Sequence, residues 1–318
     1  MNILVLSAGT RNKIIRYFKK TLAGTGKVVA TDCWNLAPAI YDADKFYIVP
    51  RINEPGYIDC ISDICRKENI DGVLSLIDPE LGLLAANVQH FERIGVKCIV
   101  SPKNAVDMAF NKMEMYRFCR ENNIRTVNSY DNLQDFFEAK SKKEIDFPVF
   151  VKPVCGSCSI NIQKVNDEDT LKDLFRRYDN LMIQEFMSGQ EIGVDVYIDA
   201  VSRKTVSIFA KKKILMRAGE TDKSVSFIDN KLFEFINDFV QKAGYLWNID
   251  IDVFEKNGEY VISEVNPRFG GGYPHAYECG CDFMKMIINN LSGKENTASV
   301  GNYKEGVYMM KYLDLKIM

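Results

Sequence analysis

The chain has 318 residues, which at roughly 150 residues per domain gives a prior of about two domains. A hydrophobic fraction of 47% beside 26% charged residues excludes wholesale disorder. With 41 basic against 43 acidic residues, a net charge of -2 leaves no electrostatic footprint for a dedicated nucleic-acid binder.

Ile3 to Leu6 reads as a strand, followed by a Ser7-Ala8-Gly9-Thr10 turn and a helix through Ile14, Ile15 and Phe18. Val28 to Thr31 is a second strand, closing on Asp32, and Tyr57 to Lys67 a helix. Val73 to Ile77 is a third strand, ending at Asp78-Pro79-Glu80, and Lys97 to Val100 a fourth, ending at Ser101-Pro102. Such alternation implies a parallel sheet with helices on both faces. Ligands of such sheets gather beyond the carboxyl ends of the strands, where Asp32, Asp78 and Glu80 fall. Ser7 to Thr10 has one glycine, and Gly24-Thr25-Gly26 precedes a strand, so a dinucleotide fingerprint is missing.

A helix from Asp107 to about Asn123 opens the next unit, with Ala109, Met113 and Tyr116 on one stripe. From Phe147 onward the pattern becomes strands and hairpins: 149–151, 159–165, 181–183, 192–198, 205–210, 249–254 and 260–265. Helices intervene at 171–178 and 231–243, so this part has α+β character. No apolar run approaches the about 20 residues of a membrane span. Met1 to Leu6 lacks a signal peptide's basic region and apolar length, and nine cysteines in a chain of this size form no secreted disulfide framework. A soluble cytoplasmic protein is expected.

Three features could carry chemistry. Phe147 to Pro153 places Lys152 on a strand before the small-residue loop Gly156-Ser157-Cys158-Ser159. A strand lysine beside loop amides can hold phosphates, though taken alone the feature fits a plain hairpin turn better. Gln184 to Glu191 puts two carboxylates six residues apart, suited to an adenine amino group and ribose hydroxyls, or simply to a solvated connector. The third feature is the most specific. Asp252 lies in the strand 249–254, Lys256-Asn257-Gly258 turns, and the return strand carries Glu264 with Asn266 on the same face. Two carboxylates and an amide oxygen are the hard ligands magnesium prefers, and Arg268 adds a fork for a phosphoryl group. A salt-bridge cluster is the structural alternative.

Phe-Pro-Val-x-Val-Lys-Pro, Gly-Ser-x-Ser, Gln-Glu-Phe-x-x-Gly-x-Glu and Glu-Val-Asn-Pro-Arg-Phe-Gly-Gly-Gly-Tyr-Pro, in that order, resemble the ATP-grasp superfamily. Within it the chain is similar to single-module relatives of the carbamoyl-phosphate synthase large subunit and the pyrrolysine-biosynthesis ligase. The resemblance implies an α/β chain: a pre-ATP-grasp parallel-sheet domain (1–106), then an ATP-grasp fold of two α+β halves (107–183 and 184–292), and a packed tail (293–318). It implies ATP binding by Lys112, Lys152, Gly156, Ser157, Ser159, Glu185, Phe186 and Glu191, and magnesium ligation by Asp252, Glu264 and Asn266. Asp250 is the other candidate for the first metal ligand. Two magnesium ions are implied, with manganese a possible substitute.

By the same resemblance, Arg217 and Arg268 act on the γ-phosphate. Asp78, Glu80, Gly271 and Tyr273 are expected around the second substrate, the acids taking an ammonium. The implied reaction is ATP-dependent carboxylate–amine or carboxylate–ammonia ligation through an acylphosphate. Carbamoyl-phosphate-synthase-like phosphorylation of bicarbonate, or a non-catalytic ATP-binding role, are the alternatives. Small-molecule carboxylate and amine partners are expected, with no nucleic acid and no membrane; a homodimer is left open. His90 reads as structural, His275 could touch substrate, and the Cys155/Cys158 and Cys279/Cys281 pairs read as small loop residues.

Overall fold

The computed structural model describes residues 1–156 and 163–317. Ser157 and Ser159 therefore lie outside the described residues.

The first unit runs β1 (Ile3–Leu6), α1 (Asn12–Leu22), β2 (Val28–Asp32), β3 (Lys45–Ile48), α2 (Tyr57–Glu68), β4 (Gly72–Ser75), α3 (Asp78–Ala86), α4 (Val88–Arg93) and β5 (Lys97–Cys98). Its sheet is parallel throughout, in the order β3-β2-β1-β4-β5. Successive side chains of a strand point to opposite faces, and β1 shows it. Ile3 and Val5 enter one core, whereas Leu4 and Leu6 enter another. Strand β3 is not among the expected strands, although Phe46-Tyr47-Ile48 is an apolar run; at the sheet edge three of its four side chains are exposed. Residues 78–80, read as a strand-ending loop, form the first turn of α3, where Pro79 needs no amide partner and acids suit the helix dipole.

The expected helix 107–123 is two helices, α5 (Lys103–Phe110) and α6 (Lys112–Glu121). Asn111 between them is extended because its backbone bridges Cys155, and the Lys112 amide donates to the Val154 carbonyl at 3.0 Å. The Asn111 side chain then caps α6, accepting from the Met113 and Glu114 amides. There follow β6 (Ser129–Tyr130), α7 (Leu133–Ser141), β7 (Val149–Pro153), β8 (Gln163–Val165), α8 (Glu168–Arg177) and β9 (Leu181–Glu185). Their antiparallel sheet, β6-β9-β7-β8, packs Val149, Val151 and Ile183 on Phe136 and Leu171.

The last unit comprises β10 (Glu191–Ile198), β11 (Thr205–Arg217), β12 (Glu220–Phe227), α9 (Asn230–Ala243), β13 (Trp247–Lys256), β14 (Glu259–Asn266), α10 (Tyr273–Glu278), α11 (Phe283–Leu291) and β15 (Tyr308–Met310). These strands form an antiparallel sheet in the order β14-β13-β10-β11-β12-β15. The expected tail thus donates an edge strand beside β12. Ile192, Val194 and Val196 of β10, with Ile249, Ile251 and Val253 of β13, pack beneath α9. The alternate residues must face the other way. No helix among the described residues is long and apolar enough to cross a membrane.

Replacing an asparagine N-cap by alanine costs about 0.5–2 kcal/mol and by glycine only a few tenths. Asn111→Ala should therefore lower the urea midpoint of unfolding with an unchanged slope, and Asn111→Gly should recover most of the loss. Equal losses in the two variants would mean that the side chain does something other than cap α6.

Candidate active site

Strand alternation builds the site. With Ile249, Ile251 and Val253 turned toward α9, Asp250 and Asp252 point to the opposite face of the large sheet. In the β13–β14 pairing Asp250 stands across from Asn266 and Asp252 across from Glu264. Glu191 and Asp195 of β10 share that face, and β11 adds Lys211 and Lys213 in register with Gly193 and the backbone beside it. Chargeable groups concentrate there because a cavity of about 610 Å³ opens above them. The smaller sheet forms its opposite wall through Phe150, Lys152, Gln184 and Glu185.

Of the residues expected to bind ligands, Lys112, Lys152, Gly156, Glu185, Glu191, Asp252, Glu264, Asn266, Arg268 and Gly271 line this one cavity. Lys112 Nζ donates to the Gly156 carbonyl at 2.5 Å. Lys152 is 5% exposed and lies 3.6 Å from Glu264. Its burial lowers the ammonium pKa, which the Glu264 carboxylate only partly restores. Glu185 accepts from Asn128 Nδ2 at 3.1 Å and pairs with Lys256. Phe186 packs on Phe150, with Lys164 Nζ 4.0 Å from its ring centre, so it supports the wall rather than lining it.

Lys213 is the residue the sequence reading missed. Its ammonium is buried, 2.6 Å from Asp252 and 2.8 Å from Glu191. Burial pulls its pKa down, but Asp252, Glu191 and Asp250 outweigh that and hold it above the ordinary value. Burial and the Asp252 and Asp195 charges push Asp250 up to about 7, and burial with Asp252 raises Glu191. The signal for Lys213 lay in the parity of Lys211-Lys212-Lys213 on a strand, legible only once that strand's inward face is known.

Four expected residues do other work. Arg217 lies on the exposed β11–β12 turn, 60% exposed and 3.6 Å from Asp222, and does not line the cavity. Asp78 is committed to Arg268: Nε and Nη2 donate to its Oδ2 at 3.0 and 2.8 Å. Glu80 is buried, accepts from the Tyr57 and Ser75 hydroxyls, and its burial raises its pKa. Tyr273 is a core residue whose hydroxyl donates to the Cys281 carbonyl and accepts from the Phe283 amide. Asp78 therefore ties the first domain to Arg268 and Glu80 braces the first domain internally, because the first turn of α3 points them at Arg268 and Tyr57.

Sequence comparison adds the family. A PylC-like N-terminal domain matches residues 3–99, and an ATP-grasp domain matches residues 109–272, more than half the chain. The chain belongs to the ATP-grasp family. As such it is an ATP-dependent ligase. It is 24% identical over 280 residues to a carbamoyl-phosphate synthase of Methanobrevibacter smithii, covering 83% of this chain and 74% of that protein. It is 26% identical over 261 residues to a formate-dependent phosphoribosylglycinamide formyltransferase of Saccharolobus solfataricus, covering 76% of this chain but only 64% of the relative. The biotin carboxylase domain of Hydrogenobacter thermophilus 2-oxoglutarate carboxylase, solved with MgADP and bicarbonate, superposes with a TM-score of 0.74. That match has 17% identity and covers 96% of this chain and 73% of the other.

A magnesium ion held here would need hard oxygen donors. Among the described residues no three His, Cys, Asp or Glu side chains gather as a metal cluster. Asp252, Glu264 and Asn266 offer two carboxylates and an amide oxygen on one face, each carboxylate beside a lysine ammonium. This hard-oxygen set fits magnesium that brings further oxygens from a polyphosphate, rather than a bare ion.

His275 belongs to the core beside the site: Nδ1 meets Ser224 Oγ at 2.8 Å and Nε2 donates to the Val307 carbonyl at 3.0 Å. Burial, with Lys211 nearby, lowers its pKa from 6.5 to about 4. As the pH falls through that window the unfolded chain protonates first, so the folded state loses stability between 6.5 and 4 and not above it. The stability of His275→Gln should change less over that window, by up to one proton's slope, about 1.4 kcal/mol per pH unit. Urea unfolding of both proteins at several pH values checks this; parallel curves would refute it.

Proposed function

We propose that this ATP-grasp ligase joins a carboxylate to an amine or ammonia through an acylphosphate formed in the cavity between the two antiparallel sheets. One observation carries the reading. The cavity wall combines Lys112, Lys152, Lys213 and Arg268 with the opposed pair Asp252 and Glu264, and among its described lining residues no histidine stands beside Cys155, Thr221 or Ser263. A wall of fixed charges without an activated nucleophile suits phosphoryl transfer by positioning and charge neutralisation.

In the proposed reaction a carboxylate oxygen attacks the γ-phosphorus of ATP, the bond to the β-phosphate oxygen breaks, and ADP leaves. The amine nitrogen then attacks the acyl carbon, a proton is lost, and phosphate departs. Lys152 and Lys112 would hold the polyphosphate, and Glu191 and Glu185 would meet the ribose and adenine. Arg268, held by Asp78, would face the transferred group. Asp252, Glu264 and Asn266 would bind two magnesium ions, or manganese in their place, which neutralise phosphate charge. Lys213 would take phosphate oxygens as metal replaces it beside Asp252.

The Lys152 assignment has a direct test. Lys152→Met keeps the buried stem and removes a charge-assisted contact of roughly 1.5–3 kcal/mol. ATP should therefore bind at least about tenfold more weakly by calorimetry, whereas unchanged affinity would overturn the assignment.

The acylphosphate is tested by label. With a carboxylate substrate enriched in oxygen-18, one labelled oxygen should appear in the released phosphate. Unlabelled phosphate would sink the acylphosphate route. ADP formation driven by bicarbonate and ammonia alone would select the carbamoyl-phosphate-like reaction in its place.

A further inference from the structure

At one end of the cavity lies a second charged group. Arg11, just before α1, comes from the first domain, and Glu220 opens β12; both line the cavity. Arg11 Nη2 lies 2.8 Å from Glu220 Oε1. Lys311, directly after β15, donates to the other oxygen, Glu220 Oε2, at 2.7 Å, while its backbone amide bonds the Asp222 carbonyl. Burial works to raise the Glu220 pKa, but Arg11, Lys311 and Arg268 outweigh it and keep the carboxylate ionised. Gly271 lies against the pair: a Cβ there would come within 2.7 Å of the Glu220 carboxyl and 2.8 Å of Arg11 Nη1. Next to it, a Cβ on Gly270 would strike the Asp250 carboxyl at 2.4 Å. The pair therefore sits one residue along the glycine loop from the metal-facing acids, inside the reaction cavity.

We infer that Arg11 and Glu220 form the binding site for a small zwitterionic substrate, one carrying an ammonium and a carboxylate on the same molecule. This rests on the ligase reading above. The two carboxylate oxygens of Glu220 are used differently. Oε2 is anchored by Lys311, so Oε1 can exchange the Arg11 guanidinium for a substrate ammonium without leaving Glu220 unpaired. Arg11, released, meets the substrate carboxylate as a fork. One internal ion pair, its side chains 23% and 38% exposed, becomes two intermolecular pairs. A monocarboxylate without an amine breaks the Arg11–Glu220 pair and returns no cation to Oε1; an amine without a carboxylate breaks it and returns no anion to Arg11. The chemistry thus selects an amino acid over either half of it. Lys311 is a positioning residue, acting through Glu220.

The test follows ADP and phosphate release by the full chain with Mg·ATP. The probes are the common L-amino acids, singly and in pairs, with propionate, ethylamine and bicarbonate at matched concentrations. At least one amino acid should stimulate release well above all three simple probes. For that amino acid, Glu220→Gln and Arg11→Met should each raise KM about tenfold or more, as expected for one lost charged hydrogen bond. KM for ATP should stay within about twofold. Lys311→Met should raise the amino-acid KM with little change in kcat, a split that a merely structural role would not produce. Glu220→Asp should recover part of the Glu220→Gln loss. Stimulation by propionate or bicarbonate equal to that by amino acids overturns the inference and leaves the ligase reading standing. Failure of every probe, with ATP still bound, overturns both. Unchanged amino-acid KM in Glu220→Gln and Arg11→Met overturns the site alone.

Discussion

Crowding of like charge under one sheet face is the constraint on which the site depends. Glu191, Asp250 and Asp252 share a face, and Asp195 lies behind them, so their mutual repulsion and loss of water must be offset locally. Lys213 bridges Asp252 and Glu191, while Lys211 is paired with Asp195 in full burial. Breaking such a pair by removing one partner strands a buried charge, which is far costlier than losing an exposed ion pair. The backbone hydrogen bonds of β10, β11 and β13 fix these groups in place. In the proposed reading a polyphosphate with its metal would exchange like for like: cation for ammonium beside the acids, phosphate for carboxylate beside the lysines.

The first domain matters to that exchange as a wall. Its sheet contributes no lysine or acid to the nucleotide region, yet Asp78 orients Arg268 from across the domain boundary. Ser101 Oγ donates to the Leu246 carbonyl and accepts from the Leu246 amide, and Tyr17 bonds Glu278 while stacking on Tyr277 at 3.6 Å. These contacts span the boundary with both polar and aromatic groups, and α1 packs on α11 within a single apolar core. Asp78 and Arg268 are therefore held by the same packing that joins the domains. The geometry around Arg268 is inherited from domain docking.

Glycine does similar work within the loop after β14. Gly270, Gly271 and Gly272 pass so close to Asp250, Glu220 and Lys211 that any side chain would strike them. Their backbone dihedrals are ordinary, so the requirement is for space, not for a left-handed turn. Packing main chain against charged groups sets the short distance between the acids of β13 and the Arg11–Glu220 pair.

Local sequence carried the parts of this protein that short-range physics controls. The parallel sheet of the first unit follows from apolar runs alternating with helical stripes. The meeting of Asp252 and Glu264 follows from the strand period and the Asn257-Gly258 turn, where both residues have positive φ. Ordered motifs in one chain were enough to indicate the family. Tertiary structure decided the rest, because those choices depend on partners far away in the chain. Asp78 and Glu80 look alike at a strand's end, but contacts 190 and 23 residues distant turn one toward Arg268 and the other toward Tyr57. The break at Asn111 arises from a backbone bridge to Cys155, which no helical period reveals. Lys213 faces inward and Arg217 outward on the same strand because register shifts between Lys213 and Met216 reset the alternation. Parity on a strand is readable from sequence only while its ladder is regular, and here the neighbouring strand decides where it is not.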